Sequence, residues 1–279
     1  MSESTYSSAV ETARSYYNSE DADTFYFTIW GGEDIHVGLY ESDDEPIAEA
    51  SQRTVEHIAD KLPELGSDAR IIDIGAGYGG AARYLARRFG CHVDALNLSE
   101  VENQRDRQMN REQGLDHLID VHDASFDDLP FPDETFDVVW CQDSILHSDD
   151  REKVVREANR VLKSGGHFIF TDPMQTDDCP EGVLQPILDR IHLPSLGSPG
   201  FYKEVAERLG MEDLGFEEHA HQLPRHYGRV LRELEARESE LEGKVSQDYI
   251  ERMKKGLRHW VEGGNSGYLT WGILHFRKP

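Results

Sequence analysis

A run of glycines between a short β-branched segment and an amphipathic helix constrains this chain more than any other feature. The run extends from Asp73 to Gly80 (DIGAGYGG), follows the segment RII and leads into the helical pattern of residues 81–90. A nucleotide-binding loop requires this context, in which a strand leaves a sheet and the next helix opens. Gly75, Gly77 and Gly80 also satisfy G-x-G-x-x-G, so a dinucleotide site stays among the alternatives.

The segments on either side repeat the same alternation of strand and helix. Helices are predicted at 46–62, 81–90, 100–114 and 150–166, and strands at 70–74, 91–99, 119–125, 136–144 and 167–174. Strands that alternate with helices of this length form parallel βαβ units. The predicted fold class is therefore α/β, with a doubly wound, mostly parallel sheet.

The regular alternation of strand and helix ends after residue 174. Residues 175–200 are rich in Pro, Gly and Asp, and the rest of the chain predicts helices at 201–211, 224–242 and 246–261 and strands at 214–222 and 268–279. We predict four segments: an N-terminal lid (1–65), a cofactor-binding core (66–174), a substrate and lid elaboration that includes one strand (175–262), and a final strand that completes the sheet (263–279).

The charge balance excludes whole classes of partner. The chain has 54 Asp and Glu against 29 Lys and Arg, a formal net charge of -25. Nucleic acids and anionic membranes are bound through Lys and Arg, so neither is expected as a partner. A small molecule is expected instead, and the acidic surface favours a protein adapted to high salt.

The compartment is predicted from what the sequence lacks. No apolar run reaches the roughly 18 to 20 residues that cross a bilayer, and the polar, acidic amino terminus does not resemble a signal peptide. Three widely spaced cysteines, Cys91, Cys141 and Cys179, offer neither a disulfide framework nor a metal-binding pair. A reducing cytoplasm is the expected location.

Two residues near the glycine loop argue against a dinucleotide. Asp73 stands two positions before the first glycine, where a carboxylate suits an ammonium group better than a pyrophosphate. The second predicted strand carries Asn97, so an amide replaces the usual carboxylate for ribose hydroxyls. Asp73 favours a ligand with an ammonium group, and Asn97 departs from the pattern of a dinucleotide site.

The order of motifs in residues 67–174 resembles that of the class I S-adenosylmethionine-dependent methyltransferases. The resemblance rests on the glycine loop, on Asn97, on LPFPDETFDVV (129–139) and on LKSGGHF (162–168). It implies a Rossmann-like core with lid elements, and S-adenosylmethionine as cofactor. Its sulfonium would suit an acidic pocket with aromatic rings, such as those of 25–30, although plain core packing explains that aromatic run equally well.

A closer resemblance extends over nearly the whole chain. Residues 15–41, 140–148 and 170–174 look like those of the sarcosine/dimethylglycine N-methyltransferases. The resemblance implies methyl transfer to sarcosine and dimethylglycine by in-line displacement, which yields glycine betaine. Residues 171–174 favour these later methylations over the methylation of glycine.

The resemblance also implies the site residues. The expected cofactor-binding residues are Tyr26, Trp30, Arg53, Asp73, Gly75, Ala76, Gly77, Asn97, Leu98, Ser125, Phe126 and Gln142. The expected substrate residues are Tyr26, Gln142, Pro173, Met174, Tyr202 and Tyr227. Apart from the resemblance, an acceptor carboxylate needs donors, and Arg53, Arg225 and Arg229 are available for it without a ranking among them.

His147, just after the fourth predicted strand, is the expected catalytic base. In the competing interpretation, His147 only satisfies backbone groups at the start of a helix. The amine of the acceptor could also lose its proton to water before it binds, and methyl transfer would then need no catalytic base. No metal is expected, because His219, His221 and His226 lack the spacing of a ligand set.

Three other functions stay open at this point. The first is a related enzyme that methylates glycine or another small molecule, such as phosphoethanolamine, a sterol or a lipid chain. The second, more remote, is an NAD-dependent oxidoreductase that uses the G-x-G-x-x-G match. The third is a non-catalytic interaction protein on a methyltransferase core.

Overall fold

The structure is a computed structural model that describes residues 8–191, 193 and 195–279, so the first seven residues of the predicted N-terminal lid lie outside the described residues. Its strands are β1 (Arg70–Ile74), β2 (His92–Asn97), β3 (Ile119–Asp123), β4 (Phe136–Gln142), β5 (Leu162–Thr171), β6 (Met174–Gln175), β7 (Glu212–Glu218), β8 (Leu269–Thr270) and β9 (Gly272–Arg277).

Seven of these strands form one sheet in the order β3-β2-β1-β4-β5-β9-β7. The pairs from β3 to β5 are all parallel, whereas β9 runs antiparallel to both β5 and β7. The predicted doubly wound, mostly parallel sheet is confirmed. The final strand does not form the edge of the sheet, since it lies between β5 and β7.

The helices are α1 (Ser8–Tyr17), α2 (Glu20–Phe25), α3 (Ile47–Ala59), α4 (Gly80–Phe89), α5 (Glu100–Glu112), α6 (Arg151–Val161), α7 (Gln185–Ile191), α8 (Pro199–Arg208), α9 (Gln222–Arg237) and α10 (Gln247–Asn265). Helices α1, α2 and α7 were not predicted. A π-helical turn, Tyr26–Trp30, continues α2.

Two predicted boundaries were wrong. The helix predicted at 150–166 ends at Val161, and residues 162–166 begin β5 instead. Gly165 and Gly166 disfavour a helix, and the N–H of Gly165 donates to the carbonyl of Lys278 at 2.8 Å. The strand predicted at 268–279 is divided into β8 and β9 by Trp271.

Both faces of the sheet are buried, as parallel sheets require. Ile72, Val139 and Phe168 point into one hydrophobic cluster, which includes residues of α6 and α8. Their sequence neighbours Ile71 and Val138 point into another cluster, which includes residues of α3 and α4. This alternation with period two fixes the register of the central strands.

A third hydrophobic cluster joins the two parts of the chain that lie outside the sheet. Phe25 and Trp30 pack in it with Tyr227 of α9 and with Trp260 of α10. Among the described residues, no helix has both the length and the apolar character needed to cross a membrane.

Candidate active site

The glycine loop joins β1 to α4 through glycines that a side chain could not replace. Gly75, Gly77 and Gly79 have φ angles of 82°, 54° and 76°, a region that glycine adopts without steric cost. A Cβ at Gly75 would lie 2.3 Å from Oγ of Ser144, and one at Gly79 would lie 2.2 Å from Oδ1 of Asp106. The glycines therefore let the loop pack directly against Ser144 and Asp106, and an open space remains at the carboxyl end of β1.

That space is the loop cavity, at the carboxyl ends of β1, β2 and β4. Predicted cofactor residues that line it are Asp73, Gly75, Ala76, Gly77, Asn97, Leu98, Phe126 and Gln142. Its other lining residues are Tyr17, Glu33, Asp34, Ile35, His36, Ala81, Ser99, Glu102, Asp143, Ser144 and His147. Open α/β sheets bind ligands at this edge.

The wall of the loop cavity is acidic, and its acids are strongly perturbed. Burial, and then the charge of Asp106, raise the pKa of Asp73 to about 8. Burial also raises the pKa of Glu102 to about 7. A cation in the cavity would stabilise both carboxylates in their charged form.

Glu102 offers a carboxylate next to Asn97 at the carboxyl end of β2. The side-chain amide of Asn97 donates to its Oε2 at 2.7 Å, while its Oε1 is buried with no hydrogen-bond partner among the described residues. A buried acceptor without a partner is costly unless a ligand supplies a donor. Asn97 and Glu102 therefore form one unit that presents an open acceptor to the cavity.

Gln142, the last residue of β4, presents an open donor to the same cavity. The indole N–H of Trp140 donates to Oε1 of Gln142 at 3.0 Å, which fixes the orientation of the amide. The Nε2 of Gln142 is buried and has no partner in the part of the chain that the structure describes.

A second cavity, the aromatic chamber, lies next to the loop cavity. It is lined by Tyr17, Tyr26, Trp30, Ile35, His36, Val37, Asp143, Leu146, His147, Pro173, Tyr227, Met253, Leu257 and Trp260. Trp30 has its ring centre 5.1 Å from that of Tyr26 and 6.0 Å from that of Tyr227, which stacks on Trp260 at 4.9 Å. These rings suit a methylated ammonium, because cation–π attraction holds such groups.

The two cavities share five lining residues, Tyr17, Ile35, His36, Asp143 and His147. Asp143 anchors this shared wall: its Oδ2 accepts from the N–H of Val37 at 2.7 Å and its Oδ1 from the indole of Trp271 at 2.8 Å. Two ligands, one in each cavity, would meet at this wall.

His147 sits in the shared wall, in contact with Tyr17. The Tyr17 hydroxyl and Nε2 of His147 are 3.0 Å apart. Burial, and then the charge of Arg151, lower the pKa of His147 to about 4. The imidazole is therefore neutral at neutral pH and can accept or donate a hydrogen bond.

Several predicted residues do not line either cavity. Met174 is fully buried in the core on one face of the sheet. Tyr202 is also fully buried, and its hydroxyl donates to Oδ2 of Asp172 at 2.7 Å. Ser125 is buried next to Phe126 and exchanges hydrogen bonds with Asp127.

The three arginines expected to hold a carboxylate are likewise absent from both linings. Arg53 donates to the carbonyl of Leu39 and pairs with Glu45. Arg225 pairs with Asp43 at 2.6 Å, and Arg229 pairs with Glu233 at 2.7 Å. The predicted cofactor role of Arg53 therefore has no support from geometry.

Glu102 and His36 are site residues that sequence reasoning missed. The position of Glu102 could have indicated a site residue, since it falls five residues after Asn97, in the first turn of the helix that follows β2. No sequence pattern indicated His36, because it lies between helices in a segment without periodicity.

The three histidines considered for a metal do not share one group of metal-ligand types among the described residues. The rings of His219 and His221 are 6.3 Å apart, whereas His226 is buried, with Nδ1 2.9 Å from the hydroxyl of Tyr40. Of the two groups of metal-ligand types within the described residues, His57, Glu217 and His219 form one, and His92, Asp94 and Asp120 form the other. Lys61 already neutralises Glu217.

The sequence and the fold were compared with those of known proteins. Residues 72–170 match a family model described as a methyltransferase domain. The chain is 68% identical over 270 residues to a sarcosine/dimethylglycine N-methyltransferase of Halorhodospira halochloris, with 97% of each chain covered. It is 59% identical over 267 residues to an enzyme of the same name from Aphanothece halophytica, with 96% of each covered.

The fold comparison agrees with the sequence comparison. A crystal structure described as a candidate sarcosine dimethylglycine methyltransferase from Galdieria sulphuraria superposes with a TM-score of 0.89 and 45% identity. The superposition covers 94% of this chain and 98% of that chain.

Proposed function

The chain belongs to the family of sarcosine/dimethylglycine N-methyltransferases, and from this premise we propose that it methylates sarcosine and then dimethylglycine to give glycine betaine. S-adenosylmethionine is its methyl donor. The observation that carries the proposal is the pair of adjoining cavities with a shared wall. One cavity is acidic and the other is aromatic, so a cationic donor and an N-methylated acceptor have separate places that meet.

The loop cavity has the features that S-adenosylmethionine needs. Asp73 and Glu102 provide negative charge for a ligand that carries an ammonium and a sulfonium. The open acceptor of Glu102 and the open donor of Gln142 match the hydroxyl and amino-acid groups of this ligand. When bound, S-adenosylmethionine supplies an electrophilic methyl group.

The aromatic chamber is the proposed acceptor site. Tyr26, Trp30, Tyr227 and Trp260 surround it with rings. Each methylation adds an N-methyl group that can contact these rings, and the last one gives a quaternary nitrogen with a permanent positive charge, which the rings attract. Pro173 adds an apolar contact for the N-methyl groups. The chamber thus accounts for a preference for acceptors that already carry methyl groups.

Tyr17 and His147 are the proposed positioning pair at the shared wall. The amine must present its lone pair to the methyl group, and most of the acceleration comes from fixing two bound reactants in line. A histidine with a pKa of about 4 holds a proton poorly, which favours hydrogen bonding over proton storage as its role. Loss of the amine proton to water before binding completes the mechanism without a strong base.

We further propose the four segments predicted from the sequence as functional units, with 1–65 and 175–262 as the lid over the core. The net charge of -25 is proposed to keep the protein away from nucleic acids and anionic membranes and to suit a salt-rich cytoplasm.

The test is a product analysis. The protein is incubated with S-adenosylmethionine and, separately, glycine, sarcosine and dimethylglycine, at low and at molar salt, and the products are identified by mass spectrometry. We expect glycine betaine from the two methylated acceptors and no product from glycine. Glycine as the best acceptor, or no transfer to any of the three, would contradict the proposal.

A further inference from the structure

The aromatic chamber lacks the cation that an amino-acid acceptor would ordinarily require. Among the described residues that line it, none is Arg or Lys. A carboxylate buried there without donors would be strongly destabilised. The chamber must therefore hold the acceptor carboxylate with other groups, or it must accept a different ligand.

Two buried ring nitrogens in the chamber wall make no hydrogen bond of good geometry within the described ranges of the chain. They are Nε1 of Trp30 and Nε2 of His36, in residues that are only 5% and 7% exposed. Nε2 of His36 has only an ion-pair contact with Oδ1 of Asp34, at 3.5 Å. Unsatisfied polar groups this deep are uncommon in native proteins and call for an explanation. Two of them in the lining of one cavity indicate a missing acceptor.

The ring of His36 is oriented so that Nε2 donates only in the charged state. Its Nδ1 lies 3.2 Å from the carbonyl of Val37, and only a protonated Nδ1 can bond to a carbonyl. Nε2 then carries a proton only when the imidazole is positively charged. The ring can thus supply both a donor and the missing positive charge.

The surroundings of His36 favour that charge. Oδ1 of Asp34 is 3.5 Å from Nε2, and Asp143 and Asp73 interact with the ring electrostatically. Burial lowers the pKa of His36, but Asp34 and Asp143 more than offset it, so that the pKa is raised above its usual value. His226 also faces the ring, but burial keeps it neutral with a pKa of about 3.

We propose that the indole N–H of Trp30 and the protonated imidazole of His36 together bind the carboxylate of the acceptor. This pair, the carboxylate clamp, makes the chamber select N-methylated amino acids over amino alcohols of the same shape. The inference rests on the proposed function, because it assumes that the acceptor occupies the chamber.

The clamp also explains why the acceptor orients correctly. His36 belongs to the shared wall, whereas Trp30 lines only the chamber. A carboxylate held between them leaves the nitrogen, one carbon away, next to Tyr17 and His147.

Two substitutions remove one donor each. Trp30→Phe keeps an aromatic ring but lacks the N–H, and His36→Gln keeps a polar side chain but lacks the charge. The acceptors compared are dimethylglycine and N,N-dimethylethanolamine, which has no carboxylate. The matched control is His57→Gln, at a partly exposed histidine that lines neither cavity.

Each clamp substitution is expected to raise the KM for dimethylglycine about tenfold or more, as for a lost hydrogen bond to a charged group. The Kd of S-adenosylmethionine is expected to stay within about twofold, and the preference for dimethylglycine over dimethylethanolamine is expected to shrink by the same factor as the KM change. In wild-type protein the KM should rise with pH as His36 loses its proton, and His36→Gln should lose this dependence.

The outcomes separate the clamp from the proposed function. Wild-type transfer to dimethylglycine, with both variants keeping the wild-type KM and preference, overturns the clamp alone. A parallel loss of turnover with both acceptors points to a structural effect and also overturns it. Wild-type protein that neither methylates dimethylglycine nor binds it, by calorimetry with S-adenosylhomocysteine present, overturns both.

Discussion

Glu102 offers the sharpest test of the loop cavity, because one buried oxygen carries the expected effect. Glu102→Gln keeps the size of the side chain and removes its charge. In the folded chain Oε2 is already bonded to Asn97, whereas Oε1 is buried and open. We expect S-adenosylmethionine to donate a hydroxyl to that oxygen, so the substitution should weaken cofactor binding.

The size of the effect follows from the chemistry of the bond. A hydrogen bond to a charged group contributes about 1.5–3 kcal/mol, or roughly 10- to 100-fold in Kd. The amide that replaces the carboxylate can still accept one hydrogen bond, so the lower end is expected, about tenfold.

The pH dependence of the Kd of S-adenosylmethionine provides a second, independent test of Glu102. A hydroxyl donated to Glu102 favours its charged form, so affinity is full above the pKa of about 7 and falls as the pH drops below it. Between about pH 8 and pH 6 the wild-type Kd should rise roughly tenfold through this group alone. Asp73 lies in the same cavity with a pKa of about 8, so it adds its own dependence to both proteins.

Isothermal titration of S-adenosylmethionine into both proteins, at several pH values, measures these quantities. Glu112→Gln is the matched control, because Glu112 is exposed near the other end of the same helix. A Kd within about twofold of wild type at pH 8, with an unchanged pH profile, would refute the assignment of Glu102 to the cofactor.

Three further outcomes are expected. Tyr17→Phe should lower kcat about tenfold and leave the Kd of S-adenosylmethionine unchanged in calorimetry. An unaltered kcat would show that the contact between Tyr17 and His147 has no role in the mechanism. Tyr202→Phe should lower the free energy of unfolding in urea by about 1–3 kcal/mol, because Oδ2 of Asp172 loses its donor while Oδ1 keeps only the N–H of Leu146. The KM for dimethylglycine should stay constant; a higher KM would return Tyr202 to the acceptor site. The thermal midpoint should rise from about 0.1 M to about 2 M KCl, since salt screens the repulsion of a chain with net charge -25; a midpoint indifferent to salt would contradict the adaptation to salt.

The secondary structure was predictable wherever one local pattern decided it. Strands β1 and β4 contain pairs of β-branched residues, and α3, α4 and α6 carry a buried apolar stripe at helical spacing. Helix α7 was missed because it is short and lies in a segment rich in Pro, Gly and Asp. The start of β5 was missed because its first residues continue the polar pattern of α6, and its pairing with the carboxyl-terminal segment is not local.

The candidate site was predictable where a motif is contiguous. Asp73, Gly75 and Gly77 lie in the loop cavity as expected, because the turn from β1 to α4 is set by neighbouring residues. Arg53 and Tyr202 were expected at a ligand, yet each is engaged by a carboxylate, Glu45 or Asp172. No sequence pattern indicates which cation or hydroxyl already has a partner in the fold.

One of the two residues that sequence reasoning missed comes from the segment between the first helices, and the other comes from the core helix α5. His36 has no role by spacing, and only the packing of its neighbour Val37 onto Asp143 brings it to both cavities. Glu102 was missed because Asn97 was read as a replacement for a ribose-binding carboxylate, whereas its side-chain amide donates to the carboxylate of Glu102.

The most direct measurement is a competition for one methyl donor. Equimolar glycine, sarcosine and dimethylglycine share one vessel with the protein and methyl-deuterated S-adenosylmethionine, and mass spectrometry follows each labelled product with time. We predict that label accumulates in glycine betaine and in dimethylglycine made from sarcosine, while labelled sarcosine stays absent. Early accumulation of labelled sarcosine, or label in none of the three products, would contradict the assignment of the aromatic chamber to N-methylated acceptors.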